Sequence, residues 1–144
     1  MTVGQRHSVP RRLLVRAAVG AMRATRTPSR AELEVALVGD ATMRRLNRRY
    51  HDRAGSTDVL TFPGTPGRGG RVLGEVVISL ARARTQARRF GHPVRCEVAL
   101  LLVHGILHLR GYDDRTGAAA ARMQARAEAI LRRMFPTRRR RATQ

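Results

Sequence analysis

The most constraining feature of the sequence is an apolar stretch that carries two histidines. Residues 98–109 contain no Asp, Glu, Lys or Arg, and they place His104 and His108 four positions apart. Side chains at this spacing project from one face of an α-helix, one turn above the other. Gly111 follows three residues later, where a glycine can adopt the left-handed conformation that ends a helix. We therefore expect a buried helix that ends just beyond a pair of histidines.

An acidic residue after the glycine completes a candidate metal site. The pattern H-x-x-x-H-x-x-G-x-x-D ends at Asp114, and Asp113 is a competing candidate. Two neutral imidazoles and one carboxylate can hold a divalent cation and leave a coordination position for water. This donor set favours zinc, one ion per chain, and also admits another divalent metal. The spacing leaves a competing role open, because Asp114 or Thr116 could instead cap the following helix.

The histidine spacing resembles that of the metzincin peptidases, H-E-x-x-H-x-x-G-x-x-H. In this chain Gly105 stands where those enzymes have their glutamate base. Peptide hydrolysis by their mechanism is therefore not expected, and a peptidase is the weakest of the functions considered.

The charge of the chain points to a polyanionic partner. The 29 basic residues, all arginines, outnumber the 10 acidic ones and give a net charge of +19. Coding bias can exchange lysine for arginine, but it does not explain this excess of cations. Guanidinium groups bind phosphate well, so the partner that we expect is a nucleic acid. An anionic membrane surface is the less favoured polyanion, and no membrane partner is expected. The charge-free run also falls well short of the roughly 20 residues that cross a bilayer.

Hydrophobic periodicity predicts an α+β fold in one domain. We expect a small mixed sheet of about four strands packed with about five helices, one of them a zincin-like metal helix. The domain is predicted to span residues 1–137, and residues 138–144 to form a basic, disordered tail. The single cysteine, Cys96, excludes an internal disulfide and suits a reducing compartment. The segments are predicted as helices at 10–25, 41–50, 81–90, 94–110 and 116–135, and as strands at 32–38, 57–62 and 72–80.

With these residues in view, the sequence resembles the YbeY family of bacterial rRNA maturation factors. Three segments carry the likeness in the family's order. They are L-N-R-R-Y at 46–50 followed by S-T-D-V-L-T-F-P at 56–63, then L-G-E-V-V-I-S at 73–79, and H-G-I-L-H-L-R-G-Y-D-D at 104–114. Met123 also falls where the family has a methionine in its last helix.

The resemblance implies a single-strand-specific, metal-dependent endoribonuclease. It would act in rRNA maturation, including 16S rRNA 3′-end processing, and in ribosome quality control in the cytoplasm. The expected partners are rRNA, or single-stranded RNA generally, and proteins of the small ribosomal subunit, with no small-molecule cofactor. The alignment favours Asp114 over Asp113 as the third metal ligand, beside His104 and His108. The candidate catalytic residues are His51, Glu75 and His104.

Three positions depart from the family pattern. Asp114 replaces the family's third histidine, which changes the acidity expected of the metal's water. His51 replaces an arginine that follows the tyrosine, and a neutral imidazole holds phosphate less well than a guanidinium does. Glu75 replaces an aspartate, and its alternative role is that of a strand-end carboxylate paired with an arginine. These departures keep a second hypothesis open, in which the chain is a non-catalytic ribosome-assembly or RNA-binding factor with a structural metal.

Overall fold

The fold consists of five helices and three strands in a computed structural model that describes residues 9–51, 58–64 and 72–134, with the backbone alone at His51. The order along the chain is α1, β1, α2, β2, β3, α3, α4 and α5. The helices are α1 (Arg11–Ala24), α2 (Asp40–His51), α3 (Leu80–Phe90), α4 (Val94–Leu109) and α5 (Gly117–Met134); the strands are β1 (Glu32–Val38), β2 (Val59–Pro63) and β3 (Val72–Ser79).

The central strand of the sheet is β3, which runs parallel to β1 and antiparallel to β2. Its residues Val76, Val77, Ile78 and Ser79 are all buried. A strand covered on both faces has a nearly continuous apolar sequence, as β3 does, and the predicted strand at 72–80 is confirmed. The α+β class and the mixed sheet are thus confirmed. The described residues form three strands instead of about four, and these three lie at the segments predicted as strands.

Helix α4 lies at the centre of the molecule. It packs against α1, α3 and α5 and against strands β2 and β3. Most of its residues from Glu97 to Leu107 are buried. A helix that is apolar on every side is stable only when neighbours surround it, and this arrangement supplies them. The predicted buried helix is therefore confirmed, and it sets the position of both histidines.

The sheet separates two hydrophobic clusters. The larger one lies on the α4 side and includes Val76 and Ile78 of β3, whereas the smaller one consists of Met43, Leu60 and Val77. Successive side chains of a strand point to opposite faces, which explains why Val76 and Val77 belong to different clusters.

The predicted ends of the elements differ from the observed ones by three residues or fewer, as is usual for helix and strand boundaries. The predicted basic tail, 138–144, lies outside the described residues. No single helix in the described ranges is long and apolar enough to cross a membrane; α3 and α4 together meet that test of length and composition, but a bend of 116° separates them.

Candidate metal centre

A glycine turn ends α4 and reverses the chain, as the sequence predicts. Gly111 has a φ of +100°. Its N–H donates to the His108 carbonyl, and the N–H of Tyr112 donates to the Leu107 carbonyl, each at 3.0 Å. These two bonds form a Schellman motif, which satisfies carbonyl groups at the end of the helix. The segment after the turn therefore returns past the histidine-bearing end of α4.

His104, His108 and Asp114 line one cavity. Its volume is about 210 Å³, and Asp58, Met123 and Gln124 contribute to its wall. The Nε2 atom of His108 lies 3.9 Å from Oδ2 of Asp114. The Asp114 side chain is 63% exposed and that of His108 32%, so this end of the cavity opens to solvent. We call it the histidine cavity.

Hydrogen bonds distinguish the two neighbouring aspartates. Oδ1 of Asp113 accepts from the backbone N–H of Arg115 at 3.1 Å, a bond that stabilises the turn. The cap of α5 is Thr116, whose Oγ1 accepts from the N–H of Ala119 at 3.0 Å. Asp114 serves neither purpose and lines the histidine cavity instead. The competing role of Asp114 as a helix cap is thus filled by Thr116, and the geometry favours Asp114 over Asp113 as a ligand.

The environment of His104 favours its neutral form. Burial lowers the pKa of this imidazole, and that effect outweighs the Asp58 carboxylate and a hydrogen bond with Gln124, which act in the opposite direction. Neutral imidazole is the form that coordinates a metal. Gln124 shares the cavity wall with His104, where a hydrogen bond to the ring would fix its orientation, as is usual for histidine ligands.

The donor chemistry of the histidine cavity fits a divalent cation. No three His, Cys, Asp or Glu side chains of the described ranges converge closely enough to form a complete metal-binding group. Two ligands on a tetrahedral zinc ion, at bond lengths of 2.0–2.2 Å, lie about 3.4 Å apart. The 3.9 Å between His108 and Asp114 exceeds this spacing by about half an ångström. The Asp114 side chain is 63% exposed and has room to change its rotamer, and two imidazoles with one carboxylate are donors that suit a divalent cation.

The other two candidate catalytic residues lie elsewhere. His51 is the last residue of α2, and its side chain lies outside the described part of the chain. Glu75 precedes Val76, which faces α4, and so points to the opposite face of the sheet. It is paired in register with Glu34 and Phe62. Burial and the Glu34 carboxylate raise the pKa of Glu75.

The structure therefore does not bring Glu75 to the histidine cavity. The alternative expectation, an ion pair between Glu75 and an arginine, also finds no counterpart among the residues that the structure describes. The strand register instead places Glu75 beside Glu34, and two neighbouring carboxylates are less favourable than a carboxylate beside an arginine. A catalytic role for Glu75 stays a prediction from the resemblance alone.

Sequence reasoning missed two residues of the cavity wall. Asp58 immediately precedes β2, and its Oδ2 accepts from Nε2 of Gln86 at 3.3 Å. Gln124 lies on α5, lines the cavity beside His104 and acts to raise the pKa of that imidazole. A signal for Asp58 was present, since it lies in the T-D-V-L segment that resembles the YbeY family. Nothing in the sequence pattern distinguishes Gln124 from the other polar residues of α5.

Comparisons with known proteins identify the family. Residues 6–135 match the family model described as Endoribonuclease YbeY. A protein with that name from Solibacter usitatus is 45% identical over 101 residues, which cover 68% of this chain and 66% of the relative. Another from Moorella thermoacetica is 45% identical over 112 residues, covering 70% and 71%. A third, from Pelotomaculum thermopropionicum, is 41% identical over 132 residues, covering 88% and 87%.

The fold agrees with a solved structure. The solution structure of TM1509 from Thermotoga maritima matches with a TM-score of 0.59 and 23% identity, over 90% of this chain and 87% of that chain. This likeness concerns the fold alone, whereas the family model and the relatives concern the sequence. The chain belongs to the Endoribonuclease YbeY family.

Proposed function

We propose that this chain is a metal-dependent endoribonuclease that hydrolyses phosphodiester bonds within single-stranded RNA. The observation that carries the proposal is that His104, His108 and Asp114 line one cavity at the end of the central helix. The relatives named endoribonucleases support the RNA substrate. The net charge of +19 supports it independently, because it favours a polyanionic partner.

The proposed cofactor is one divalent cation, with zinc favoured, held by His104, His108 and Asp114. When bound, such an ion lowers the pKa of water and polarises a phosphoryl oxygen. The residues of this chain would position the reaction around it. Gln124 orients the His104 ring, and the nearby Asp58 carboxylate offers an acceptor for a proton of a water molecule.

The biological setting is also a proposal. We infer that the substrate is rRNA in the course of maturation, that 16S rRNA 3′-end processing and ribosome quality control are the processes served, and that the protein acts in the cytoplasm. Proteins of the small ribosomal subunit are the proposed partners, and no small-molecule cofactor or membrane is invoked. The family resemblance supports this setting, and the arginine-rich composition agrees with a partner made of RNA.

One observation favours a second candidate function, that of a non-catalytic assembly factor with a structural metal. Asp114, the third proposed ligand, is largely exposed and lies 3.9 Å from His108, outside the spacing of a preformed site. A ligand set that closes only on metal binding is compatible with an ion that holds the turn after α4 in place. The two functions differ in whether single-stranded RNA is cut.

Metal removal tests the proposed function. We expect purified, zinc-loaded protein to cleave single-stranded RNA, to lose cleavage on exhaustive chelation and to regain it when zinc is restored, because the ion would activate the attacking water. The measurement is the rate of oligonucleotide cleavage against the zinc content of the same samples. RNA binding without cleavage at full zinc occupancy would favour the assembly factor, and cleavage that survives complete chelation would refute the metal-dependent proposal.

A further inference from the structure

A second and larger cavity adjoins the histidine cavity. It has a volume of about 770 Å³ and lies among helices α3, α4 and α5. The two cavities share Asp58, His104 and Gln124 as wall residues. A volume of this size falls in the range of pockets that hold small organic groups. We call it the base pocket, for the reasons that follow.

An aromatic ring lies at the edge of the base pocket. Phe90, the last residue of α3, lines the pocket although 66% of its surface is exposed. The His92 ring is a neighbour, with its centroid 6.3 Å from that of Phe90. The guanidinium of Arg89 lies 5.9 Å from the centroid of the Phe90 ring, and the exposed part of the ring presents an aromatic surface at the pocket edge. Exposed aromatic faces are the surfaces on which bases of single-stranded RNA stack.

A buried carboxylate with a free oxygen lies in the same pocket. Glu97 is only 3% exposed, and its Oε1 atom lies 2.7 Å from Nε2 of His92. Within the described residues, the other carboxylate oxygen, Oε2, receives no hydrogen bond. A buried carboxylate is costly unless its acceptor sites are filled, and two oxygens can accept several hydrogen bonds. A ligand with N–H donors would fill the remaining sites.

The carboxylates that line the base pocket favour the binding of a base over that of a phosphate. Three carboxylates, those of Asp58, Glu97 and Glu128, line the pocket against a single arginine, Arg132. A phosphate placed among these carboxylates would be repelled. The uncharged base of a nucleotide would not be repelled, and its N–H groups could donate hydrogen bonds to the carboxylates. Guanine offers adjacent N–H donors on its Watson–Crick edge, whereas uracil offers one donor flanked by two carbonyl oxygens.

We propose that the base pocket binds one nucleobase of the single-stranded RNA substrate, with guanine preferred over uracil. Glu97 is the residue that accepts hydrogen bonds from the N–H groups of the base. This inference rests on the proposed function, since the shared wall of Asp58, His104 and Gln124 would place the bound base beside the phosphodiester to be cut. The base would stack on Phe90, and the backbone would run outside the pocket.

The test compares single-stranded oligonucleotides of equal length. One contains a single guanosine among uridines, a second is all uridine, and a third has an abasic site at the guanosine position. With zinc-loaded protein we expect kcat/KM to be about 10-fold higher for the guanosine strand, with cuts beside the guanosine, which is a typical discrimination for one well-placed base contact. Equal rates and scattered cuts on all three strands would overturn the proposal, even if cleavage still requires the histidines.

Two variants and a control localise the effect. Glu97→Gln keeps the shape of the side chain and should abolish the preference for guanosine without abolishing cleavage. Phe90→Leu, at an exposed position that leaves folding intact, should weaken cleavage of the guanosine strand about fivefold or more, because base stacking is lost. Glu34→Gln changes a carboxylate outside the pocket and should leave the preference unchanged. A preference that persists in both pocket variants would contradict the assignment.

A binding measurement separates failure of this inference from failure of the proposed function. If zinc-loaded protein cuts no RNA at all, nuclear magnetic resonance titration with guanosine and uridine still tests the pocket. Shifts at His92, Glu97 and Gln124 caused by guanosine and absent with uridine would support the base pocket. Equal or absent shifts with the two nucleosides would refute it.

Discussion

Replacing Asp114 by alanine is expected to remove tight zinc binding and to lower RNA cleavage at least about 100-fold, because even substitutions outside the ligand set commonly cost 10- to 100-fold in metal affinity or activity. The matched control is Asp113→Ala, next in the chain and equally acidic. Asp113 bonds the N–H of Arg115 and does not line the histidine cavity. Its replacement should leave zinc binding and cleavage close to those of the unmodified chain.

Folding does not confound this comparison. Asp114 is 63% exposed, and Thr116 supplies the cap of α5, so Asp114→Ala removes no buried contact and no cap. Asp113→Ala loses one exposed hydrogen bond, worth about 1 kcal/mol of the free energy of unfolding. Zinc affinity by competition with a chromophoric chelator and cleavage rate are the two readouts. If the two variants bind zinc and cut RNA alike, Asp114 is not a ligand.

Gly105→Glu, which restores the glutamate of the metzincin pattern, is expected to prevent stable folding and to create no peptidase. A Cβ atom at Gly105 would lie 2.6 Å from Cγ1 of Val76, a fully buried side chain that has no room to move away. Overpacking costs about 1–3 kcal/mol, and a buried, unpaired carboxylate adds several more. Against a total stability of about 5–15 kcal/mol, the loss is large. Urea denaturation followed by circular dichroism measures it.

Two milder substitutions keep this prediction measurable. Gly105→Ala should fold and be destabilised by about 1–2 kcal/mol, because the clash with Val76 exceeds the gain in helix propensity of up to about 1 kcal/mol. Gly117→Ala is the control, since a Cβ at Gly117 meets no atom within 4 Å. It should be neutral or slightly stabilising. A Gly105→Glu protein as stable as the parent would show that α4 does not approach β3 as closely as described.

Gly105 also explains why the likeness to the metzincin pattern does not include the glutamate after the first histidine. The spacing of His104, His108 and Gly111 follows from helix geometry and from the turn that ends α4, and such local features can be read from a sequence. The residue after the first histidine depends on what α4 packs against. Here that neighbour is Val76 of β3, a contact between distant parts of the chain.

The identity and approximate bounds of the helices and strands were predictable because their periodicity is strong and local. The orientation of Glu75 was not. It lies in a strand with apolar residues on both faces, so alternation of polar and apolar residues does not reveal which way each side chain points. The contact of Val76 with Gly105 of α4 settles this, since it places the neighbouring Glu75 on the face away from α4, in register with Glu34.

At the site itself, the sequence likewise did not show whether Asp113 or Asp114 points toward the histidines. Spacing allowed both, and it allowed either Asp114 or Thr116 to cap α5. The structure favours Asp114, since hydrogen bonds engage Asp113 in the turn and Thr116 in the helix cap, whereas Asp114 lines the histidine cavity. Asp58, just before β2, lies in a segment that resembles the family, whereas Gln124 on α5 is revealed only by the packing of α5 against α4.

The most direct test of the account is the position of the ion itself. Crystals of zinc-loaded protein, measured at the zinc absorption edge, should show one anomalous peak per chain. That peak should lie within about 2.0–2.2 Å of an imidazole nitrogen of His104, an imidazole nitrogen of His108 and a carboxylate oxygen of Asp114. A histidine cavity without a peak, or an ion bound instead by His92 and Glu97, would contradict the central claim.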